Sequence, residues 1–200
     1  WSYSPATRRV RRAPDITYDT LVNASPLIVV DQYGTFNGAQ DKYNWELKGV
    51  KKMIVAGVSE GISDNPLEVT HGVGHVNPEY MHYEEKEVAI VHATLKDGQR
   101  HLYASRTFYV TTDAFYIVSQ DIYDGQGNLM RNAVNTLTQG VQGLDGGCTV
   151  NAEFTFDFAT RQYAGNNMLG KAINTQPAVY NGPSKDVSFY TPDGLRRYAR

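Results

Sequence analysis

The sequence predicts a mainly β domain, because three of its features are typical of antiparallel sheets. The 14 Tyr and 7 Phe residues favour strands, since aromatic side chains suit a pleated surface. Four segments rich in β-branched and aromatic residues follow one another between residues 87 and 137. The connections KDGQ, TTDA and DGQG are short and polar, and Asp97-Gly98 is a strong two-residue hairpin signal. Together these features predict a four-stranded antiparallel meander.

The composition limits the kinds of partner. Lys and Arg total 19 against 21 Asp and Glu, so the chain as a whole has no general attraction to nucleic acid or anionic membranes. No apolar run approaches the roughly 20 residues that span a bilayer. The chain opens on Trp1 without a signal peptide and is expected to be a processed protein or a fragment. The single Cys148 excludes an internal disulfide and is expected to be a small buried thiol.

The remaining elements are assigned in chain order, as one domain over residues 1–200. WSYS and RRVRR predict short strands and residues 13–26 a loop, whereas LIVVDQYGTFNG fits either a short helix or an irregular crossing. Residues 43–57 predict a strand with a bulge at Gly49, and residues 58–79 a long, functional or mobile loop. TVNAEFTFDF and QYAGNNML predict a last strand pair, and residues 170–200 an irregular C-terminal tail packed on the surface, with a short terminal helix.

The predicted turns set a register that sorts side chains between two faces. The face expected to be buried, and to line a cavity, carries Ala89, Val91, Ala93, Leu102, Ala104, Phe108, Val110, Phe115, Ile117, Met130 and Val134. Its alanines either let a helix pack closely or leave space for a guest. The opposite, more amphipathic face carries Tyr103, Tyr109, Tyr116 and two histidines.

Charged residues carry two further predictions. Arg106 lies on the buried face, diagonal to Asp121, and is either half of a structural ion pair or a polar anchor for a ligand headgroup. Arg9 and Arg11 share one side of a basic strand that either contacts headgroups at a cavity rim or protects a sheet edge from aggregation. Asp15, Asp19 and Asp31 are candidate counterions for these arginines.

Catalysis has little support in the sequence. HGVGH places His71 and His75 at a spacing that binds zinc on a helix, but the glycines between them disfavour a helix. No nucleophile motif is present, and nothing fixes the separation of Glu84, Glu85 and Glu87. The sequence therefore predicts no catalytic residue, no metal ligand and no cofactor.

Three ordered runs resemble a known family: WSYSPATRRVRRAP, DQYGTFNGAQDKYNWELKG and VHATLKDGQRHLYASRTFYV. They are similar to bacterial domain-of-unknown-function family 1329, and the similarity extends to the terminal LRRYAR. Members are longer, with a signal peptide in the precursor, so the resemblance implies that this chain corresponds to their C-terminal half. The opening Trp-x-Tyr-x-Pro followed by an Arg-Val-Arg strand also resembles periplasmic lipoprotein carriers and outer-membrane lipoprotein-sorting proteins.

This resemblance implies a curved sheet forming an open half-barrel, with few short helices that are partly supplied by upstream sequence. It implies a Gram-negative periplasmic carrier that holds a hydrophobic, lipid-like molecule on the concave face. An envelope transporter or an outer-membrane protein is the expected protein partner. The alternative is a non-enzymatic interaction or sensor module without a ligand cavity, and a hydrolase is a third hypothesis. Under the carrier hypothesis the 58–79 loop is the candidate lid.

Overall fold

The computed structural model describes residues 1–12, 15–22, 25–70, 72, 74–139, 148–166 and 182–198. The chain forms two compact units, Trp1–Thr17 with Asn181–Arg200 (the terminal unit) and Tyr18–Tyr180 (the sheet unit). The strands and α-helices are β1 (Ser2–Ser4), β2 (Arg9–Arg11), β3 (Leu21–Val22), β4 (Ser25–Val29), β5 (Tyr43–Ala56), α1 (Gly61–Asp64), α2 (Pro66–Val69), β6 (Tyr83–Leu95), β7 (Ser105–Thr111), β8 (Ile117–Tyr123), β9 (Leu129–Gln139), β10 (Cys148–Asp157), β11 (Gln162–Asn166) and α3 (Pro192–Tyr198).

The terminal unit is a small hairpin packed with a helix. Strands β1 and β2 pair antiparallel, and α3 lies against both of them. A 3-10 helix, Val187–Tyr190, precedes α3. The short strands and the terminal helix were both predicted. The predicted loop over residues 13–26 is wrong in part, because β3 and the start of β4 lie within it.

The sheet unit is built on a seven-stranded antiparallel sheet in the order β11-β10-β9-β8-β7-β6-β5. Each strand pairs with the next one along the chain, so the predicted mainly β fold is confirmed. Gly49 has φ 139° beside a register shift in β5, which confirms the predicted bulge. The predicted loop over residues 58–79 contains α1, α2 and the beginning of a 3-10 helix, Pro78–Tyr80.

The sheet is curled, as shown by hydrogen bonds between residues 57–59, which follow the edge strand β5, and β9, four strands away. The Ser59 amide donates to the Leu137 carbonyl at 3.0 Å, and the Leu137 amide donates to the Gly57 carbonyl at 3.1 Å. In a flat sheet, β5 and β9 would lie about 19 Å apart, at about 4.8 Å for each strand step. These bonds therefore require a strongly curved sheet. Among the described residues its edge strands β5 and β11 do not pair with each other, so the sheet is open, as predicted.

The two faces of the sheet meet different surroundings. The covered face carries Ala93, Arg106, Phe108, Gln120, Ile122, Arg131, Asn135, Glu153 and Thr155. Residues 25–43 pack on it: Val29 lies among Tyr103 and Ile122, and Phe36 contacts the Phe108 ring. The groove face carries Val55, Val88, Tyr109, Val118, Ser119, Asp121, Asn132, Val134 and Phe154, and the curl encloses part of it.

A β-bulge explains why the predicted sorting of side chains is partly wrong. Tyr109 pairs with Ser119 while Val110 pairs with Ile117, so β8 has one extra residue, Val118, at this point. One inserted residue inverts every side chain that follows it along the strand. Val134 consequently lies on the groove face with Tyr109, not with Phe108 and Ile117 as predicted.

The predicted two-residue hairpin at Asp97-Gly98 is also wrong. Ala93 pairs with Arg106 rather than Leu102, and residues 96–104 form a longer connection. This connection is not paired as a hairpin. It places the Tyr103 side chain, which was predicted to meet water, in the interior, where Tyr103 is 0% exposed. Its hydroxyl donates to Gln32 Oε1 at 2.8 Å. The displacement is four residues, an even number, so the face assignments of β6 and β7 survive it.

Candidate functional site: a groove in the curled sheet

The curl encloses a groove with an apolar wall. A cavity of about 320 Å³ lies against the groove face and is lined by Met53, Ile54, Val55, Ala56, Tyr83, Tyr109, Val118, Ser119, Asp121, Asn132 and Val134. Val55, Val88 and Val118 form a buried cluster, with Met53 and Tyr109 packed against it. β-Branched residues are frequent here because they fit a pleated surface with one dry side.

The cavity continues toward the β7–β8 turn. A second cavity of about 170 Å³ shares Val55, Ala56 and Val118 with the first and adds Val58 and Leu137. Its outer end is charged: Lys86 Nζ lies 2.8 Å from Asp113 Oδ2 and 3.8 Å from Glu84 Oε2. The groove therefore runs from a valine-rich centre to a charged mouth.

The opposite part of the groove has a fixed polar group. Asp121 accepts a hydrogen bond from the Tyr109 hydroxyl at 2.8 Å and another from Asn132 Nδ2 at 2.8 Å. Burial and the hydrogen bond to Asp121 raise the pKa of Tyr109 above its usual value, so its hydroxyl remains a donor. Ser119 Oγ donates to the Ala133 carbonyl at 2.9 Å and accepts from Asn132. A ligand group placed here would contact the Asp121 carboxylate, whose oxygens are held in position by the Tyr109 hydroxyl and the Asn132 amide.

A third element borders the groove face beside β10. Ile62 of α1 and Val69 of α2 are fully buried and pack with Ala152 and Phe154. Tyr80 and Val134 lie against the same cluster. The predicted lid segment is therefore attached to the sheet by apolar contacts over its described residues, and its role as a lid stays a prediction.

The covered face is filled by the chain itself and contains an ion pair that sequence reasoning assigned to the wrong partner. Arg106 Nη2 donates to Asp31 at 2.7 Å and 2.8 Å, not to Asp121 as predicted. His101 Nδ1 accepts from the Tyr103 amide at 2.9 Å, and its Nε2 lies 3.1 Å from Asp31. Burial by itself raises the pKa of Asp31, but the His101 hydrogen bond and the Arg106 charge lower it overall. Asp31 is thus no counterion of the basic strand.

A second buried polar chain begins at Gln32. Its Nε2 donates to Glu153 Oε1 at 3.2 Å and to Thr155 Oγ1 at 2.7 Å. Glu153 is 0% exposed, and its Oε2 has no hydrogen-bond partner among the described residues. Burial raises the pKa of Glu153 to about 7, and bonds from Gln32 and from the backbone of Thr35 and Gly34 offset only part of the effect. No pattern in the sequence indicated this carboxyl.

The predicted lining residues do not form the groove, with one exception. Val134 lines it, as does Asp121, one of the two predicted anchors. Leu102 and Phe115 were expected to be buried, but they lie in connections and are 44% and 79% exposed. The others lie on or beside the covered face: Ala89, Val91, Ala93, Ala104, Arg106, Phe108, Val110, Ile117 and Met130.

The remaining candidate residues are not among the residues that line the groove. Arg9 and Arg11 belong to the terminal unit. His75 Nδ1 lies 2.9 Å from the Val76 carbonyl, and His71 is outside the described residues, as is the side chain of Cys148. Among the described residues, no three His, Cys, Asp or Glu side chains are grouped closely enough to hold a metal ion. None of the described helices is both long and apolar enough to cross a bilayer.

A family model for proteins of unknown function, DUF1329, matches residues 1–196. The chain is a DUF1329 protein. The match covers nearly the whole chain and does not locate it within longer members, so the correspondence to their C-terminal half stays a prediction. An uncharacterised protein from Pseudomonas aeruginosa is 34% identical to this chain over 200 residues. The alignment covers 98% of this chain and 43% of the relative, so the chain spans less than half of that protein.

Two solved structures share the fold of this DUF1329 chain. A candidate outer membrane lipoprotein-sorting protein domain from Vibrio parahaemolyticus superposes with a TM-score of 0.59 at 13% identity, covering 98% of this chain and 64% of that one. A DUF1329 protein from Desulfovibrio piger superposes with a TM-score of 0.56 at 15% identity, covering 96% of this chain and 62% of that one. At these identities the likeness establishes that this chain shares its fold with the two proteins.

Proposed function

We propose that the groove binds a hydrophobic, lipid-like molecule non-covalently, and that the protein is a periplasmic carrier or binding protein rather than an enzyme. The observation that carries this proposal is the groove itself, with its apolar centre beside Val118 and its polar end at Asp121. Its volume of about 320 Å³ is near the lower limit of small-molecule sites, which are about 300–1,000 Å³. The shared fold of the lipoprotein-sorting domain supports both the carrier role and the envelope location.

The chemistry of the groove narrows the ligand. Each methylene group transferred from water to the valine-rich centre stabilises the complex by about 0.8 kcal/mol. The polar end presents the carboxylate of Asp121 together with Tyr109 and Asn132. A carboxylate or phosphate placed there would meet a like charge, whereas a hydroxyl or amine could donate to it. We therefore expect a neutral or cationic amphiphile, delivered to or received from an envelope transporter or outer-membrane protein.

The proposal is tested by placing a larger side chain in the groove. Met53 lines the cavity, whereas Leu47, on the same strand, does not line it and is 63% exposed. Met53→Trp is expected to reduce binding of the neutral fluorophore N-phenyl-1-naphthylamine at least tenfold, because the indole occupies the ligand's space. Leu47→Trp adds an indole at a site outside the groove and is expected to leave the affinity within about twofold. Fluorescence titration measures both, and native mass spectrometry of the purified protein identifies any co-purifying lipid.

Equal affinities in the two variants, or no binding to the unmodified protein, would contradict the carrier proposal. A circular dichroism spectrum and an unfolding midpoint for each variant separate loss of binding from loss of folding.

A second candidate, a protein-interaction module, is favoured by a different observation. Strand β5 is an edge of the sheet, and its Leu47, Val50 and Ile54 are 63%, 52% and 67% exposed. Such an edge can accept a partner's β-strand, although the Lys51 and Lys52 beside these residues are the kind of charge that protects edges. If Val50→Lys removes a partner captured by cross-linking while fluorophore binding persists, the edge is the functional surface.

A further inference from the structure

The two units of the protein differ sharply in charge. The terminal unit contains eight Lys or Arg and three Asp, a net charge of +5 within a chain whose total is −2, so the rest carries −7. The chain is therefore nearly neutral as a whole, although its two terminal segments together are strongly basic. A positive surface of this kind attracts polyanions over about 8 Å at physiological ionic strength.

The basic side chains are available for a partner. Cross-strand pairs Ser2–Arg11 and Ser4–Arg9 place both arginines on one face of the hairpin, while Tyr3 and Val10 are half-buried on the other. Arg8 and Arg12 are also exposed. Within the described part of the chain, none of these four arginines forms an ion pair, in contrast to Arg196, which lies 2.9 Å from Asp193. Their positive charges are therefore exposed to solvent, where the anionic groups of a partner can contact them.

Large apolar side chains are exposed in the same unit. Trp1 is 62% exposed, Tyr190 71% and Tyr198 66%, and the aliphatic Ile16 and Val187 are 56% and 81% exposed. Trp and Tyr favour the interface between lipid headgroups and acyl chains, where arginine reaches the phosphates. A nucleic acid would match the arginines and aromatic rings but offers little to an exposed valine or isoleucine. The combination fits an anionic membrane surface best.

We propose that the terminal unit docks the protein on anionic phospholipid headgroups, with Arg9 and Arg11 contacting phosphates. The proposal concerns residues of the terminal unit and does not depend on what the groove binds. Each arginine near an anionic surface strengthens binding by about 1 kcal/mol, or about fivefold. Binding should therefore weaken as salt is added.

Co-sedimentation with vesicles tests the proposal on the full chain. We expect binding to vesicles of equal parts phosphatidylglycerol and phosphatidylcholine and little binding to pure phosphatidylcholine. Arg9→Glu with Arg11→Glu should weaken binding to the anionic vesicles by about 30-fold or more. The matched control is Lys51→Glu with Arg100→Glu, which makes the same charge change at exposed positions of the sheet unit and should retain most of the affinity.

Three outcomes would overturn the proposal: equal binding to neutral and anionic vesicles, no binding to either, or equal losses in the two double variants. Preferential binding to an RNA or DNA oligonucleotide would also overturn it. N-phenyl-1-naphthylamine titration of the arginine variant keeps this test apart from the groove, because its affinity should not change if the variant is folded.

Discussion

The two faces of the same sheet treat polar side chains in opposite ways. On the covered face, Arg106 and Glu153 are fully buried, and each depends on partners from residues 25–43. On the groove face, Asp121 and Asn132 are bonded to each other and line an open cavity. The covered face thus uses its polar groups to hold the chain in place, whereas the groove face leaves its polar groups beside space that a ligand can enter.

The difference shows why the face predicted to be buried and to line a cavity need not be the binding face of a sheet. Phe108, Ala93 and Ile122 pack against the protein's own Phe36, Tyr43 and Val29. The groove face retains the cavity because the curl of the sheet, rather than a covering segment, encloses it.

The largest expected effect is on the covered face. Arg106→Leu leaves Asp31 buried without its cation, so we expect the free energy of unfolding to fall by about 3–5 kcal/mol. The exposed Arg100→Leu should change it by less than about 0.5 kcal/mol. Urea unfolding measures both variants. Adding Asp31→Leu to Arg106→Leu should recover much of the loss, and a double variant no more stable than the single one would argue against the pair.

The next prediction concerns pH. The pKa of Glu153 is raised to about 7 in the folded protein from a usual 4.5, so folding favours the protonated acid. The contribution of Glu153 to the free energy of unfolding is fully present below about pH 4.5 and is lost as pH rises through about 7. Glu153→Gln keeps an acceptor for Gln32 and cannot ionise. At about pH 8 its free energy of unfolding should therefore be about 3 kcal/mol higher than that of the unmodified protein.

Urea unfolding at about pH 4.5 and about pH 8 checks this comparison, because the two proteins should be equally stable at the lower value. A constant difference at both values would show that packing, rather than ionisation, separates them.

The smallest expected effect lies in the groove. Tyr109→Phe removes one hydrogen bond to Asp121, which keeps its bond from Asn132. We expect a loss of about 1 kcal/mol or less, because solvent in the groove can replace the hydroxyl. Urea unfolding measures the change. A loss as large as that of Arg106→Leu would remove the contrast between the two faces.

The fold could be predicted from local patterns because each sheet strand pairs with its neighbour in sequence. Turn signals and alternation were sufficient for the four central strands and for the bulge at Gly49. The burial of Arg106 was predicted, but its partner was not, since Asp31 lies in a segment whose structure the sequence left ambiguous.

The site was harder to predict for two physical reasons. An inserted residue such as Val118 leaves no mark in a pattern of alternating side chains, yet it reverses the faces beyond it. The closure between Ser59 and Leu137 is long-range and uses backbone groups, which every residue has. Composition and periodicity carry no information on either feature.

The backbone hydrogen bonds between residues 57–59 and Leu137 also determine at which stage of folding the groove forms. Because contacts between sequence-distant segments are the slow ones to establish, the hollow exists only after β9 has been made and has met the end of β5. A nascent chain lacking β9 would expose the valines of β5 and β6 without enclosing them. If the groove binds a ligand as proposed, only a chain whose synthesis and folding are finished can bind it.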